Sequence, residues 1–172
     1  MTRYAAFLRG VNVGGVNLKM AAVAEALTEA GFTDVKTVLA SGNVLLDSRA
    51  GTETVRKKAE AALRDRFGYE AWVLAYDLDT VARISADYPF ERDVDGHHSY
   101  ITFVSDDDVL RELGDLKGGP GERIQPGVGV IYWQVARETT RDSAMGKTMG
   151  KKRYKSSTTT RNIRTIDKVL RG

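Results

Sequence analysis

Residues 35–46 read Val-Lys-Thr-Val-Leu-Ala-Ser-Gly-Asn-Val-Leu-Leu. Apolar and β-branched residues run from Val35 to Ala40 and from Val44 to Leu46 on either side of Ser41-Gly42-Asn43, which predicts two antiparallel strands joined by a hairpin turn. The flanking sequence sets what this hairpin belongs to. Upstream, Tyr4, Ala6 and Leu8 alternate with Ala5, Phe7 and Arg9, a short strand with apolar residues on both faces. It runs into Gly10-Val11-Asn12-Val13-Gly14-Gly15, a glycine-rich turn. Asn17 is placed to cap a helix in which Met20, Val23, Ala24, Leu27 and Ala30 form one stripe, with Gly31 as its stop. Downstream, Thr52 caps a second helix with Val55, Ala59, Ala62, Leu63 and Phe67 inward and Gly68 at its end. Trp72 to Tyr76 is a fourth strand. The order β-α-β-β-α-β is the ferredoxin-like split βαβ pattern, an antiparallel sheet with two helices on one face.

The remainder echoes this order. Asp77 opens a third helix, with Leu78, Val81, Ala82 and Ser85 in register and Tyr88-Pro89 closing it. The polar stretch Glu91–Gly96 marks a boundary, with residues 1–90 as one half and its linking helix, and 91–172 as the other. Ser99 to Val104 is a strand. Ser105 with Asp108 forms a capping box for a helix whose positive end suits Asp106 and Asp107. Glu122 to Ile124 and Val130 to Val135 are strands around Pro126-Gly127. Residues 137–158 are basic and weakly periodic. A last helix from Thr159 or Thr160 carries Ile163, Ile166, Val169 and Leu170 as its apolar stripe. The second half therefore reads β-α-β-β-α. The fold class is α+β, with two ferredoxin-like halves, antiparallel sheets and a C-terminal helix.

Composition bounds the chemistry. The chain has 172 residues, 42% of them hydrophobic and 28% charged, enough to bury a sizeable core. No run approaches the roughly 18 apolar residues of a membrane span, and the N-terminus lacks the hydrophobic stretch and cleavage site of a signal peptide. There is no cysteine, which excludes disulfides, thiolate nucleophiles and cysteine-ligated metals and fits a cytoplasmic protein. The net charge of +3 hides an asymmetry: residues 137–172 hold 11 Lys/Arg against 3 acids, a net of +8, so the rest of the chain nets −5. A strongly basic segment suits polyanions, or else a solvated face that meets the chain's own acids.

Gly10 to Gly15 has the G-x-x-x-x-G spacing of a phosphate loop between a strand and a helix. Val16-Asn17 follow where that loop needs Lys and Ser/Thr, and Lys19 lies too far along to replace the lysine, so NTPase chemistry is excluded. Backbone N–H groups there still suit an anion, with Arg9 and Asn12 beside them, and the same glycines also serve a plain tight turn. Gly146-Lys147-Thr148 is the end of such a loop without its first glycine, because position 141 is Arg141. Gly127-Val128-Gly129 lacks the third glycine of a dinucleotide fingerprint. His97 and His98, the two histidines, are adjacent on a strand and face opposite sides, so they read as a surface pair with no shared metal. No metal or cofactor is expected. Ser156-Ser157-Thr158-Thr159-Thr160-Arg161-Asn162 gathers hydroxyls and an arginine fork at a predicted helix start, chemistry suited to phosphate or carboxylate. Lys151, Lys152, Arg153 and Lys155 precede it, with Tyr154 between them as a stacking surface.

Three of these stretches carry a resemblance. Arg9-Gly10-Val11-Asn12-Val13-Gly14-Gly15 with Lys19-Met20, then Ser41-Gly42-Asn43-Val44, then Thr159-Thr160-Arg161-Asn162 with Thr165 and Lys168 resemble the opening, hairpin and closing motifs of the DUF1697 family. The chain departs from the pattern at Ile163, where an aromatic residue is common, and in the more basic segment from Met145 to Lys155. The resemblance implies a cytosolic bacterial protein of α+β fold with two ferredoxin-like halves, and it brings no catalytic residue with it. Two functions are open at this point. The first is binding of nucleic acid or another polyanion, without catalysis, through Lys147, Lys151, Lys152, Arg153, Tyr154, Lys155 and Arg164, with Tyr132 and Trp133 as further stacking surfaces. The second is an enzyme or sensor for a small phosphorylated or carboxylated metabolite. Its anion site would draw on Arg9, Asn12, Gly14, Gly15, Lys19, Ser41, Asn43, Thr160, Arg161, Asn162, Thr165 and Lys168.

Overall fold

The computed structural model describes residues 1–11, 17–140 and 142–172. The chain divides into two compact units, Met1–Ala82 with Asp167–Gly172, and Arg83–Ile166. The sequence reading places the change of halves further on, in the polar stretch after residue 90.

The first unit is built on strands β1 (Thr2–Arg9), β2 (Thr33–Val38), β3 (Asn43–Ser48) and β4 (Trp72–Asp77), with helices α1 (Met20–Glu29) and α2 (Thr52–Phe67) between them. The sheet order is β2-β3-β1-β4, with every pair antiparallel. Strand β1 is buried on both faces, apolar at Tyr4, Ala5, Ala6, Phe7 and Leu8 without a break. One face of the sheet, with Tyr4, Ala6, Leu8, Val44, Leu46 and Val73, packs against Val23 and Leu27 of α1 and Val55, Ala59 and Leu63 of α2. The helix stops fall where the glycines predict: α2 ends on Gly68 in the left-handed region at φ 65°. The starts differ. The residue at the N-cap of α1 is Lys19, not Asn17, and that of α2 is Gly51, with Thr52 already helical. Among the described residues neither helix has a side-chain cap, and packing of the apolar stripe supplies most of its stability. Helix α3 (Leu78–Ala86) follows β4 directly, and the Asp77 carboxylate accepts from the Thr80 backbone N–H at 2.8 Å and the Thr80 hydroxyl at 2.9 Å.

The second unit contains β5 (His97–Val104), α4 (Asp107–Gly114), β6 (Glu122–Pro126), β7 (Val130–Ala136), α5 (Ala144–Met149) and β8 (Thr158–Asn162), and the chain closes with α6 (Ile163–Arg171). The sheet order is β6-β7-β5-β8, again antiparallel throughout, so it repeats the order of the first unit strand for strand. Its core joins Val104, Ile131, Trp133 and Val135 of the sheet to Leu113 of α4, Met145 of α5 and Tyr154. The capping box of α4 is displaced by one residue: Asp106 is the cap, and its Oδ1 accepts from Asp108 and Val109 N–H at 2.9 and 3.0 Å.

The largest correction concerns residues 158–162. They form strand β8 rather than the start of the last helix. Register pairs Tyr100 with Asn162, Thr102 with Thr160 and Val104 with Thr158. β-branched threonines suit a pleated strand, and hydrogen-bonding partners for their hydroxyls let them be buried there. Thr158 Oγ1 donates to the Tyr154 carbonyl at 2.8 Å, and Thr160 Oγ1 lies 2.8 Å from Thr102 Oγ1. The place of the second unit's missing helix is taken by the short α5 between single 3₁₀ turns at Arg137–Thr139 and Lys152–Tyr154. The Glu122 carboxylate holds its start, accepting from Ala144 N–H at 3.0 Å and Met145 N–H at 3.2 Å.

Candidate anion-binding site

Two of the three motifs meet within the first unit. Phe7 pairs with Asn43, and the Leu8 N–H donates to the Gly42 carbonyl at 2.8 Å, so the end of β1 lies beside the hairpin turn. Asn43 is fully buried, and its Nδ2 donates to the Val38 carbonyl at 2.8 Å and to Ser41 Oγ at 2.9 Å, which closes the turn. Gly42 sits at φ 90°, and a Cβ there would stand 3.0 Å from Leu8 Cβ. The hairpin motif is thus explained by turn geometry and close approach. Burial lowers the pKa of the Arg9 guanidinium from its ordinary value. Asn12, Gly14 and Gly15 lie outside the described residues. Lys19 is exposed at the start of α1.

In the second unit the closing motif is mostly structural. Arg161 is buried on β8, and its guanidinium donates to Thr159 Oγ1 at 2.8 Å and to the Thr160 carbonyl at 3.0 Å. Tyr154, Tyr132 and Trp133 are buried too, which corrects the expectation that they offer stacking faces. The Arg153 guanidinium lies over the Tyr154 ring and bonds Glu112 and the Tyr154 hydroxyl, interactions that raise its pKa. Lys147, Lys151, Lys152 and Lys155 are exposed, with no ion pair among the described residues. Thr165 is half-buried and Lys168 exposed on α6.

Asn162 and Arg164 belong to a different constellation. Antiparallel pairing brings the ends of β7 and β8 to the start of β5, since His97 pairs with Ala136 and Tyr100 with Asn162. The chain leaves β7 through Arg137, whose N–H donates to the Gly96 carbonyl at 2.9 Å. It leaves β8 through Asn162, whose Oδ1 accepts from the Arg164 N–H at 2.9 Å. Arg137, Asn162 and Arg164 therefore flank His97, His98 and Ser99. With Asp93 they line a cleft of about 120 Å³, room for a small oxyanion. Arg164 Nε donates to Asp93 Oδ1 at 2.7 Å, which raises the arginine's pKa. The Arg137 guanidinium and the Asn162 Nδ2 have no partner among the described residues, so both remain as donors. No group of three or more His, Asp or Glu there is placed to hold a metal ion, and no helix is long and apolar enough to cross a membrane, both among the described residues.

His98 reports the field in this cleft. Burial lowers its pKa first, and the positive charges of Arg137 and Arg164 add to the effect. The unfolded chain takes up that proton at higher pH than the folded one, so stability is complete above the ordinary histidine value of about 6.5 and falls as pH drops below it. An anion in the cleft offsets both arginines and raises the His98 pKa again. Proton NMR titration should therefore show His98 titrating below the ordinary histidine value, and moving upward when inorganic phosphate is added. An unmoved His98 would place the anion elsewhere.

In the sequence, His97 and His98 read as a surface pair, Ser99 opens a strand, Asp93 lies in the polar boundary stretch and Arg137 begins the basic segment, and nothing there gathers them into a site. Their proximity comes from strand register, and the one local signal was a histidine pair opening a strand just after a polar boundary.

The fold and this cleft define an α+β protein of two ferredoxin-like units, one of which carries a small cationic cleft at a sheet end. The chain belongs to the DUF1697 family: the family model, described as a protein of unknown function, matches residues 1–132. Among solved structures it is similar to the conserved bacterial protein SP0830 from Streptococcus pneumoniae, at 25% identity and a TM-score of 0.83, covering 99% of this chain and 97% of that one. No curated protein matches it.

Proposed function

We propose that this protein binds a small phosphorylated or carboxylated metabolite in the cleft at the start of β5. The observation that carries the reading is the convergence there of Arg137, without an ion pair among the described residues, with Asn162, Arg164 and His98. Arginine offers a planar fork of donors, and the Asn162 amide adds a neutral one, a set that suits an oxyanion. Arg164 is shared with Asp93, which keeps it in place and leaves Arg137 as the main attracting charge. Titration calorimetry at low salt tests this. Inorganic phosphate should bind, and Arg137→Ala should weaken it by about tenfold or more, the loss of one charge-assisted contact worth about 1.5–3 kcal/mol. Lys152→Ala should leave the affinity as it was. Equal losses from the two changes would overturn the cleft reading.

Those equal losses would favour a second reading, binding of nucleic acid or another polyanion. Its support is the group of exposed lysines, Lys147, Lys151, Lys152 and Lys155, in a segment of net positive charge. With Tyr154, Tyr132 and Trp133 buried, such binding rests on phosphate contacts alone. It would be indifferent to sequence and would fall steeply with salt. Labelled single- and double-stranded DNA and RNA at low salt are the probes, and absence of binding ends this reading.

A further inference from the structure

A second cavity of about 390 Å³ lies in the same unit, lined by Glu91, Val94, His97, Glu122, Arg123 and Gln134. Two links join it to the cationic cleft. His97 lines both. Ser99 lines the small cleft, Gln134 lines the large one, and Gln134 Nε2 donates to Ser99 Oγ at 3.0 Å. Gln134 is only 4% exposed, and its Nε2 also donates to the Glu91 carbonyl at 2.7 Å. Both bonds use the nitrogen, so the amide is oriented with its Oε1 left over, and that oxygen has no donor among the described residues.

We infer that the ligand of the cationic cleft is a phosphate ester of a hydroxyl-rich body, a sugar or polyol phosphate, whose body passes His97 and lies in the larger cavity against Gln134 and Glu91. This rests on the cleft reading above and deepens it. The lining argues for such a body in two ways. Gln134 Oε1 and the exposed Glu91 carboxylate are acceptors, which hydroxyls satisfy by donating. Val94 is the one apolar side chain among the lining residues, whereas sites for flat or apolar ligands are lined mainly by hydrophobic and aromatic groups. Glu122, already accepting from Ala144 and Met145 N–H, supports the wall rather than the ligand.

Titration calorimetry of the full chain with inorganic phosphate, glucose 6-phosphate and glucose tests the inference. Glucose 6-phosphate should bind at least about tenfold more tightly than inorganic phosphate, the yield of one or two added hydrogen bonds of roughly 0.5–1.5 kcal/mol each. Gln134→Met keeps the side-chain length and removes the acceptor, and it should shrink that preference. Because Gln134 is buried and this change can disturb the fold, Glu91→Ala at an exposed position, which removes the carboxylate acceptor, gives the independent reading, and it too should shrink the preference. Equal affinities for glucose 6-phosphate and inorganic phosphate in the unaltered protein would overturn this inference and leave the cleft reading standing. Absence of binding by either phosphate would overturn both. A preference unchanged by both variants would overturn the assignment of the body to the larger cavity.

Discussion

Gly146→Ala should destabilise the second unit by about 3 kcal/mol, the upper part of the range for forcing an extra group into packed structure. A Cβ at this position would stand 2.0 Å from the Thr140 carbonyl oxygen and 2.9 Å from Ser143 Oγ. Both atoms are held. The Thr140 carbonyl accepts the Ser143 hydroxyl at 2.7 Å, and Ser143 Oγ accepts the Gly146 N–H at 3.0 Å. Neither can retreat without breaking the cap of α5, and Met145 beside it is part of the unit's core. Gly150→Ala is the control: its Cβ would meet nothing nearer than the Lys147 carbonyl at 3.7 Å, in ordinary right-handed backbone. Urea unfolding followed by tryptophan fluorescence should show a lower midpoint for Gly146→Ala and a change within about 0.5 kcal/mol for Gly150→Ala. Matching midpoints would mean that the α5 segment does not contribute to the cooperative unit. The glycine that mimics the end of a phosphate loop in the sequence is there because two chain segments touch.

The second large effect is expected at Thr102. This fully buried residue sits in the middle of β5, and its Oγ1 accepts from Trp133 Nε1 at 2.9 Å and lies 2.8 Å from Thr160 Oγ1. The three side chains form a polar thread across β7, β5 and β8. Thr102→Val preserves shape and removes the oxygen, so the indole N–H is left buried without a partner at a cost of about 2 kcal/mol. Thr160→Val should cost less, about 1 kcal/mol, since Thr102 still accepts from Trp133. Thermal unfolding of the two single variants and the double variant would measure the coupling. A neutral Thr102→Val would remove the thread as an account of why the closing motif holds threonine.

That motif shows where sequence reasoning reached its limit. Thr158 to Asn162 reads as polar, and a polar run next to an apolar-striped helix looks like that helix's start. In the fold the same residues are an edge strand, because Thr102, Tyr154 and the β5 backbone supply partners for their hydroxyls and amides. The anion expectation shifts for the same reason. Arg161 is spent on Thr159 and the Thr160 carbonyl, and Arg153 on Glu112, while Asn162 and Arg164 end up on a cleft with Arg137 and the histidines.

Local chemistry determined the α+β class, the hairpin at Ser41-Gly42-Asn43, the buried central strand Thr2–Arg9 and the glycine stop of α2, because each depends on hydrophobic alternation or on a backbone angle that one residue type supplies. Tertiary structure alone decided that residues 158–162 pair with β5, and that His98, Arg137 and Arg164 share one cleft. Register between strands distant in the chain sets those neighbours, and it is settled by cooperative packing of whole faces, which no short stretch of sequence records.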